Sequence, residues 1–194
     1  MPTTNETRNT VLDVAQEFVQ TRGYNAFSFR DLADRVRIKS SSVHYYFPTK
    51  AELCRALIAR QRERVASAFE AIDARGLDPR EKLERYADIF GETLESGRMC
   101  LFGMLASDCS TLEPGIALVL RESFDDHEVW LERTLTDGRQ AGSLRFEGDA
   151  REEARVLLSS LEGAILLART YEDHARFDSI RRRLLTKLWA EPQG

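Results

Sequence analysis

Metal-ligand spacing is the first thing this chain lacks. Cys54, Cys100 and Cys109 stand far apart, and with only three histidines no CxxC or HxxxH pairing occurs. That excludes a structural zinc site of ordinary spacing and a disulfide framework. Long apolar runs are absent too, so no segment reads as a membrane span. The first ten residues, MPTTNETRNT, have neither a basic flank nor an apolar core and do not read as a signal peptide. Strand-like alternation and glycine-rich loops are missing as well. Positive charge is not in excess: 28 Lys+Arg face 32 Asp+Glu, a net −4, which argues against bulk nucleic-acid binding. These absences leave a cytoplasmic globular protein for which no metal and no cofactor is expected.

What is present is amphipathic. Hydrophobic residues make up 42% and charged residues 31%, the balance of a packed domain rather than a disordered chain. The charge is uneven: residues 1–50 hold seven Lys/Arg against five Asp/Glu, and the remainder is acidic. A mildly basic head on an acidic body fits a compact DNA contact carried by a larger domain with another task.

Apolar residues recur at helical spacing nearly throughout, and the start signals are specific. Ser28 with Asp31, Thr49 with Glu52, and Asp149 with Glu152 read as capping pairs. Asp78-Pro79 pairs an N-cap with proline at the first helical position. Gly23, Gly76 and Gly142 read as stops. The spacing predicts nine helices in an all-α, two-domain chain. A three-helix head over residues 1–49 precedes a helical body over residues 50–194.

Within the head, Ser28–Phe47 reads as two short helices joined by a tight turn. Leu32, Val36, Ile38 and Val43 are the expected shared core, with Tyr46 and Phe47 beneath. Ser40, Ser41, Ser42, His44 and Tyr45 then remain on the outer face of the second helix. A short, narrow face of small donors suits entry into a major groove. The free amides at the starts of the Ser28 and Lys50 helices suit phosphates. A plain helical hairpin is the alternative.

The run Gly23-Tyr24, Phe27-Ser28-Phe29-Arg30-Asp31-Leu32-Ala33, Ile38 and Val43-His44-Tyr45-Tyr46-Phe47-Pro48-Thr49-Lys50 resembles the N-terminal signature of TetR-type transcriptional repressors. The resemblance covers about fifty residues in matching order and spacing. It implies a homodimeric all-α repressor with a helix-turn-helix head and a ligand-sensing, dimerising body. It also implies that Lys39 opens the recognition-helix region, that Ser40, Ser41, Ser42 and Tyr45 face base edges or nearby sugars, and that His44, Tyr46 and Lys50 hold phosphates. Three departures stand out. Arg37 replaces the usual turn glycine, Lys39 replaces the usual serine cap and passes that role to Ser40, and the Tyr…His order is reversed.

In the body, Phe90, Leu94, Met104, Phe124 and Trp130 are bulky and spread over three helices, so they are candidates to line an inducer cavity. His127 is a candidate polar anchor, and Cys100, at a helix start beside Arg98, a candidate reactive thiol. Leu157, Leu161, Ala164, Ile165 and Ala168, followed by Phe177, Ile180 and Leu184, form two stripes expected to pair with a second subunit. The reading is a ligand-responsive regulator that binds a palindromic double-stranded operator as a homodimer and is released by a small molecule or thiol modifier. The rivals are a helical-bundle enzyme using Cys100 and His127, and a dimeric adaptor without DNA binding.

Overall fold

Residues 4–190 are described by the computed structural model, and among them the helix signals of the sequence become nine α-helices. They are α1 (Thr4–Arg22), α2 (Phe29–Val36), α3 (Ser40–Tyr46), α4 (Lys50–Asp73) and α5 (Pro79–Glu95), then α6 (Leu101–Ser107), α7 (Pro114–Gln140), α8 (Ala150–Thr170) and α9 (His174–Thr186). Two 3₁₀ turns, Tyr24–Ala26 and Cys109–Thr111, link them. The described residues contain no strand; a single bridge pairs Leu144 with Trp189.

The caps form as the chemistry requires. Ser28 and Asp31 make a reciprocal box at the start of α2, and Asp78 and Glu81 do the same at α5. At α4 the Thr49 hydroxyl accepts from the Glu52 amide, while the Glu52 carboxylate accepts from the Thr49 amide. Each such cap satisfies amides that the helix itself cannot. At α8 the Asp149 carboxylate accepts from Arg151 instead of the third residue.

The contacts divide the chain into two compact units. One holds residues through Arg64 together with Arg98–Ser123; the other holds Val65–Gly97 and the chain from Phe124 onward. In the first, α1 packs on α2, α3 and α6 around Val11, Leu12, Ala15, Leu32, Val43, Leu53 and Ile58, all almost fully buried. Gln20 and Met99 exchange backbone and side-chain hydrogen bonds, tying the end of α1 to the segment before α6. Asp108 adds a second tie by accepting from the Tyr24 amide and the Asn25 side chain.

In the second unit, α5, α8 and α9 pack against one another. Gly138 in α7 is needed there. A Cβ at this position would meet Leu144 at 2.3 Å and Pro79 at 2.9 Å, closer than packed atoms tolerate.

Candidate nucleic-acid interface

Two short helices and three turn residues build the candidate site. Leu32 and Ala33 of α2, Val43 of α3 and Phe47 behind it are buried. Val36, Ile38 and Tyr46 are only half-buried, so the core of the hairpin is narrower than the sequence suggests. The turn starts at Arg37, which closes α2 in the left-handed conformation, φ 62° and ψ 45°. Its amide and that of Ile38 both bond the Ala33 carbonyl. The turn thus keeps the shape a glycine would give it, at a cost of roughly 1 kcal/mol for a residue with a Cβ. We expect Arg37→Gly to raise stability by about 0.5–1 kcal/mol, since relief of strain outweighs the added freedom of the unfolded chain. Thermal unfolding of the variant checks this, and an unchanged or lower midpoint would count against strain at Arg37.

Lys39 is the N-cap of α3, and its side chain makes no capping bond. Ser40 is the first helical residue and does not take over the capping role. Its exposed face carries Ser40, Ser41, His44 and Tyr45, with Ser42 half-buried. Tyr45 is 75% exposed and meets Tyr46 edge-on at 5.2 Å. An exposed aromatic ring can make a sugar or base contact. His44 stacks edgewise on Phe29 at 4.8 Å and donates from Nδ1 to the Pro48 carbonyl at 3.4 Å. Arg30, Arg37 and Lys39 are exposed around this face. The sequence reading passed over Arg30 and Arg37 as binding candidates, although their charge was in plain view.

Two of the residues expected at the DNA also make bonds within their own unit. The Ser28 hydroxyl donates to Asp31 at 2.6 Å while its amide donates at 2.7 Å. Together they hold the Asp31 carboxyl below the usual range. Lys50 is half-buried and donates from Nζ to the Phe27 carbonyl at 2.6 Å.

The expected inducer residues fall into both units. Cys100, the N-cap of α6, and Met104 are half-buried in the first. Phe90, Leu94, Phe124, His127 and Trp130 belong to the second. There Trp130 lies nearly parallel to Phe69 and Tyr86, with ring centroids 4.8 and 5.7 Å away. The Tyr86 hydroxyl and His127 Nδ1 are hydrogen-bonded at 3.0 Å. Burial pushes His127 down to about 4, so it is neutral at pH 7. Asp73 anchors the cluster's edge, accepting from Trp130 at 3.2 Å and pairing with Lys82 and Arg133. Partial burial works to raise the Asp73 carboxyl, but the Lys82 and Trp130 hydrogen bonds hold it lower. Phe69 and Tyr86 were not among the sequence candidates. The Tyr86–Phe90 spacing of one helical turn was the available signal.

The stripes expected to pair with a second subunit need correction. Leu157, Leu161, Ala164, Ile165, Ala168 and Phe177 are at most 2% exposed within the single chain. Helices α5, α8 and α9 cover them from inside, so they are closed to a partner. Ile180 and Leu184 remain partly open. The exposed apolar residues of this region are Val156, Leu166, Leu167 and Tyr171 instead.

Comparison with known proteins decides the family. Residues 11–57 match the profile of the bacterial regulatory proteins, tetR family, and residues 79–184 match the tetracyclin repressor-like C-terminal domain. The chain belongs to the TetR family. This TetR-family chain superposes on a TetR-family regulator from Agrobacterium tumefaciens with a TM-score of 0.93 at 28% identity, covering 97% of this chain and 100% of that one. A TetR regulator from Legionella pneumophila follows with a TM-score of 0.85 at 31% identity, covering 97% and 98%. The transcriptional repressor KstR of Rhodococcus jostii is 34% identical over 82 residues, 41% of this chain and only 35% of KstR's length. As a family member the protein is a ligand-responsive, DNA-binding transcriptional regulator with a helix-turn-helix head and a helical C-terminal domain. No helix among the described residues is long and apolar enough to cross a membrane.

Proposed function

We propose that the protein is a cytoplasmic repressor that binds a near-palindromic operator as a homodimer and leaves it when a small molecule occupies the body. The observation that carries this reading is the α3 face: three serines, His44 and an open Tyr45 on a helix whose opposite side is anchored by Val43. Ser40, Ser41, Ser42 and Tyr45 then meet base edges and sugars, while Lys39, His44, Tyr46 and Lys50 meet phosphates. The functional division follows residues 1–49 for operator binding and 50–194 for sensing and dimerisation.

The sensing site in this reading includes the Tyr86–His127–Trp130 cluster. It is built of aromatic rings and one neutral hydrogen-bonded pair, which favours an uncharged, largely apolar inducer. The same features disfavour an enzyme. A general base working near pH 7 needs a pKa near 7, whereas burial holds His127 at about 4.

DNase footprinting on DNA upstream of the protein's own gene tests the proposal. We expect one protected near-palindrome, its half-sites about 34–36 Å apart. Absence of sequence-specific protection on this and on genomic fragments would leave the repressor reading without support.

A further inference from the structure

We propose that Arg37, in the turn between α2 and α3, is a further DNA contact that grips a backbone phosphate at the rim of the groove α3 enters. The inference rests on the operator-binding reading above and extends it to a residue outside both helices. Arg37 carries a side chain where the turn would close more easily around glycine. It is left-handed, at φ 62° and ψ 45°, a region that penalises any residue with a Cβ. Strain alone assigns no role, since Glu172 in the α8–α9 turn has φ 51°. What separates Arg37 is its charge and its surroundings.

The Arg37 side chain is exposed, and among the described residues no carboxylate, carbonyl or ring holds its guanidinium. Other arginines of the first unit are engaged: Arg35 pairs with Glu17, Arg55 with Glu113 and Arg60 with Asp13. Asp34, one helical turn before Arg37, is exposed as well but forms no ion pair with it among the described residues. Half-buried Ile38 separates Arg37 from exposed Lys39. Two cations therefore stand open to solvent beside the exposed serines of α3. The backbone beneath them is fixed, because the amides of Arg37 and Ile38 both bond the Ala33 carbonyl. In a helix-turn-helix the second helix lies in the major groove while the first crosses the sugar–phosphate backbone. The turn joining them runs at the groove's rim, where phosphates rather than base edges are within reach. A guanidinium matches a phosphate with two parallel hydrogen bonds. Backbone strain of this kind gathers at turns that contact a ligand.

The experiment compares the full-length wild type with Arg37→Gly, Arg37→Asn and Arg37→Lys. Glycine and asparagine both accept the left-handed turn, so the backbone stays while the cation goes. Each protein is titrated with the footprinted operator and with a mixed-sequence duplex over a range of salt. Arg37→Gly and Arg37→Asn should bind both duplexes about tenfold more weakly per head at ~0.1 M salt, with the log–log salt slope shallower by about one unit per head. Arg37→Gly should show this loss at a melting temperature no lower than that of wild type. Arg37→Lys keeps the charge and should keep the wild-type slope. Unchanged affinity and slope in Arg37→Gly and Arg37→Asn would overturn the proposal and leave Arg37 a solvated turn residue. A loss confined to the operator with the slope unchanged overturns it too, since a base contact or an altered turn acts that way. So does a slope lost in Arg37→Lys. A wild type that protects no operator but binds the mixed-sequence duplex fails the repressor reading alone, because the slope on that duplex still tests Arg37. A wild type that binds neither duplex fails both.

Discussion

Leu166→Arg is expected to give a folded monomer near 22.2 kDa whose operator affinity is lower by about two orders of magnitude. Leu166 is 55% exposed on the outer face of α8. Val156, Leu167 and Tyr171, all about half exposed or more, share the region. Gly163 opens the same helix, since a Cβ added there would meet nothing within 4 Å. An apolar face with a small residue on it is what a second helix needs for close approach. In a two-fold interface an arginine near the axis faces its own symmetry mate, so one substitution places two like charges in a drying surface. Loss of the dimer removes the linkage between half-sites, and with it the gain from binding both at once. Light scattering and a gel shift on the same sample read both effects. A Leu166→Arg chain that stays dimeric would place the interface elsewhere. Leu161→Arg is the instructive contrast. Leu161 is fully buried in the protomer, so that variant should fail to fold, because the charge has no route to water.

Acidification should destabilise the second unit through His127. Burial holds the folded pKa at about 4, whereas an unfolded chain titrates near 6.5. Between these values the unfolded state binds a proton that the folded state refuses, so stability falls as pH falls. The contribution is fully present above about pH 6.5 and is lost progressively down to about pH 4. At 1.36 kcal/mol per pH unit, the loss amounts to about 3 kcal/mol. Denaturant unfolding at a series of pH values should show this slope. His127→Gln, which does not titrate, should flatten it while lowering stability at pH 7 through the disturbed Tyr86 partner. A wild-type slope retained in His127→Gln would assign the acid sensitivity to other groups.

Much of the fold was legible because local chemistry set it. The capping pairs Ser28–Asp31 and Thr49–Glu52 form as their spacing requires, since each involves groups within one helical turn. The order and spacing of residues 23–50 carried the helix-turn-helix for the same reason. Arg37 shows where local reasoning stopped. A Cβ disfavours the left-handed turn, yet the packing of α2 on α3 holds Arg37 at φ 62°, because tertiary contacts outweigh roughly 1 kcal/mol of strain.

Periodicity also identified α8 as strongly apolar without saying which side faces inward. The stripe through Leu157, Leu161 and Ile165 went to the chain's own α5 and α9, and the side bearing Leu166 and Leu167 stayed open. An α-helix with apolar residues on both sides offers two seams of similar chemistry, and helix packing within the protomer chooses between them. Lys50 belongs to the same class. Its contacts with the Phe27 carbonyl and the rings of Tyr24 and Phe27 join parts of the chain far apart in sequence, which its place at a helix start does not reveal. The sequence by itself determined the all-α class, the helix starts and the family's DNA-reading head, all properties of neighbouring residues. Which apolar face is spent on the core, and which rings and carbonyl Lys50 meets, was decided only by the tertiary structure, because those contacts depend on residues far apart in the chain meeting in space.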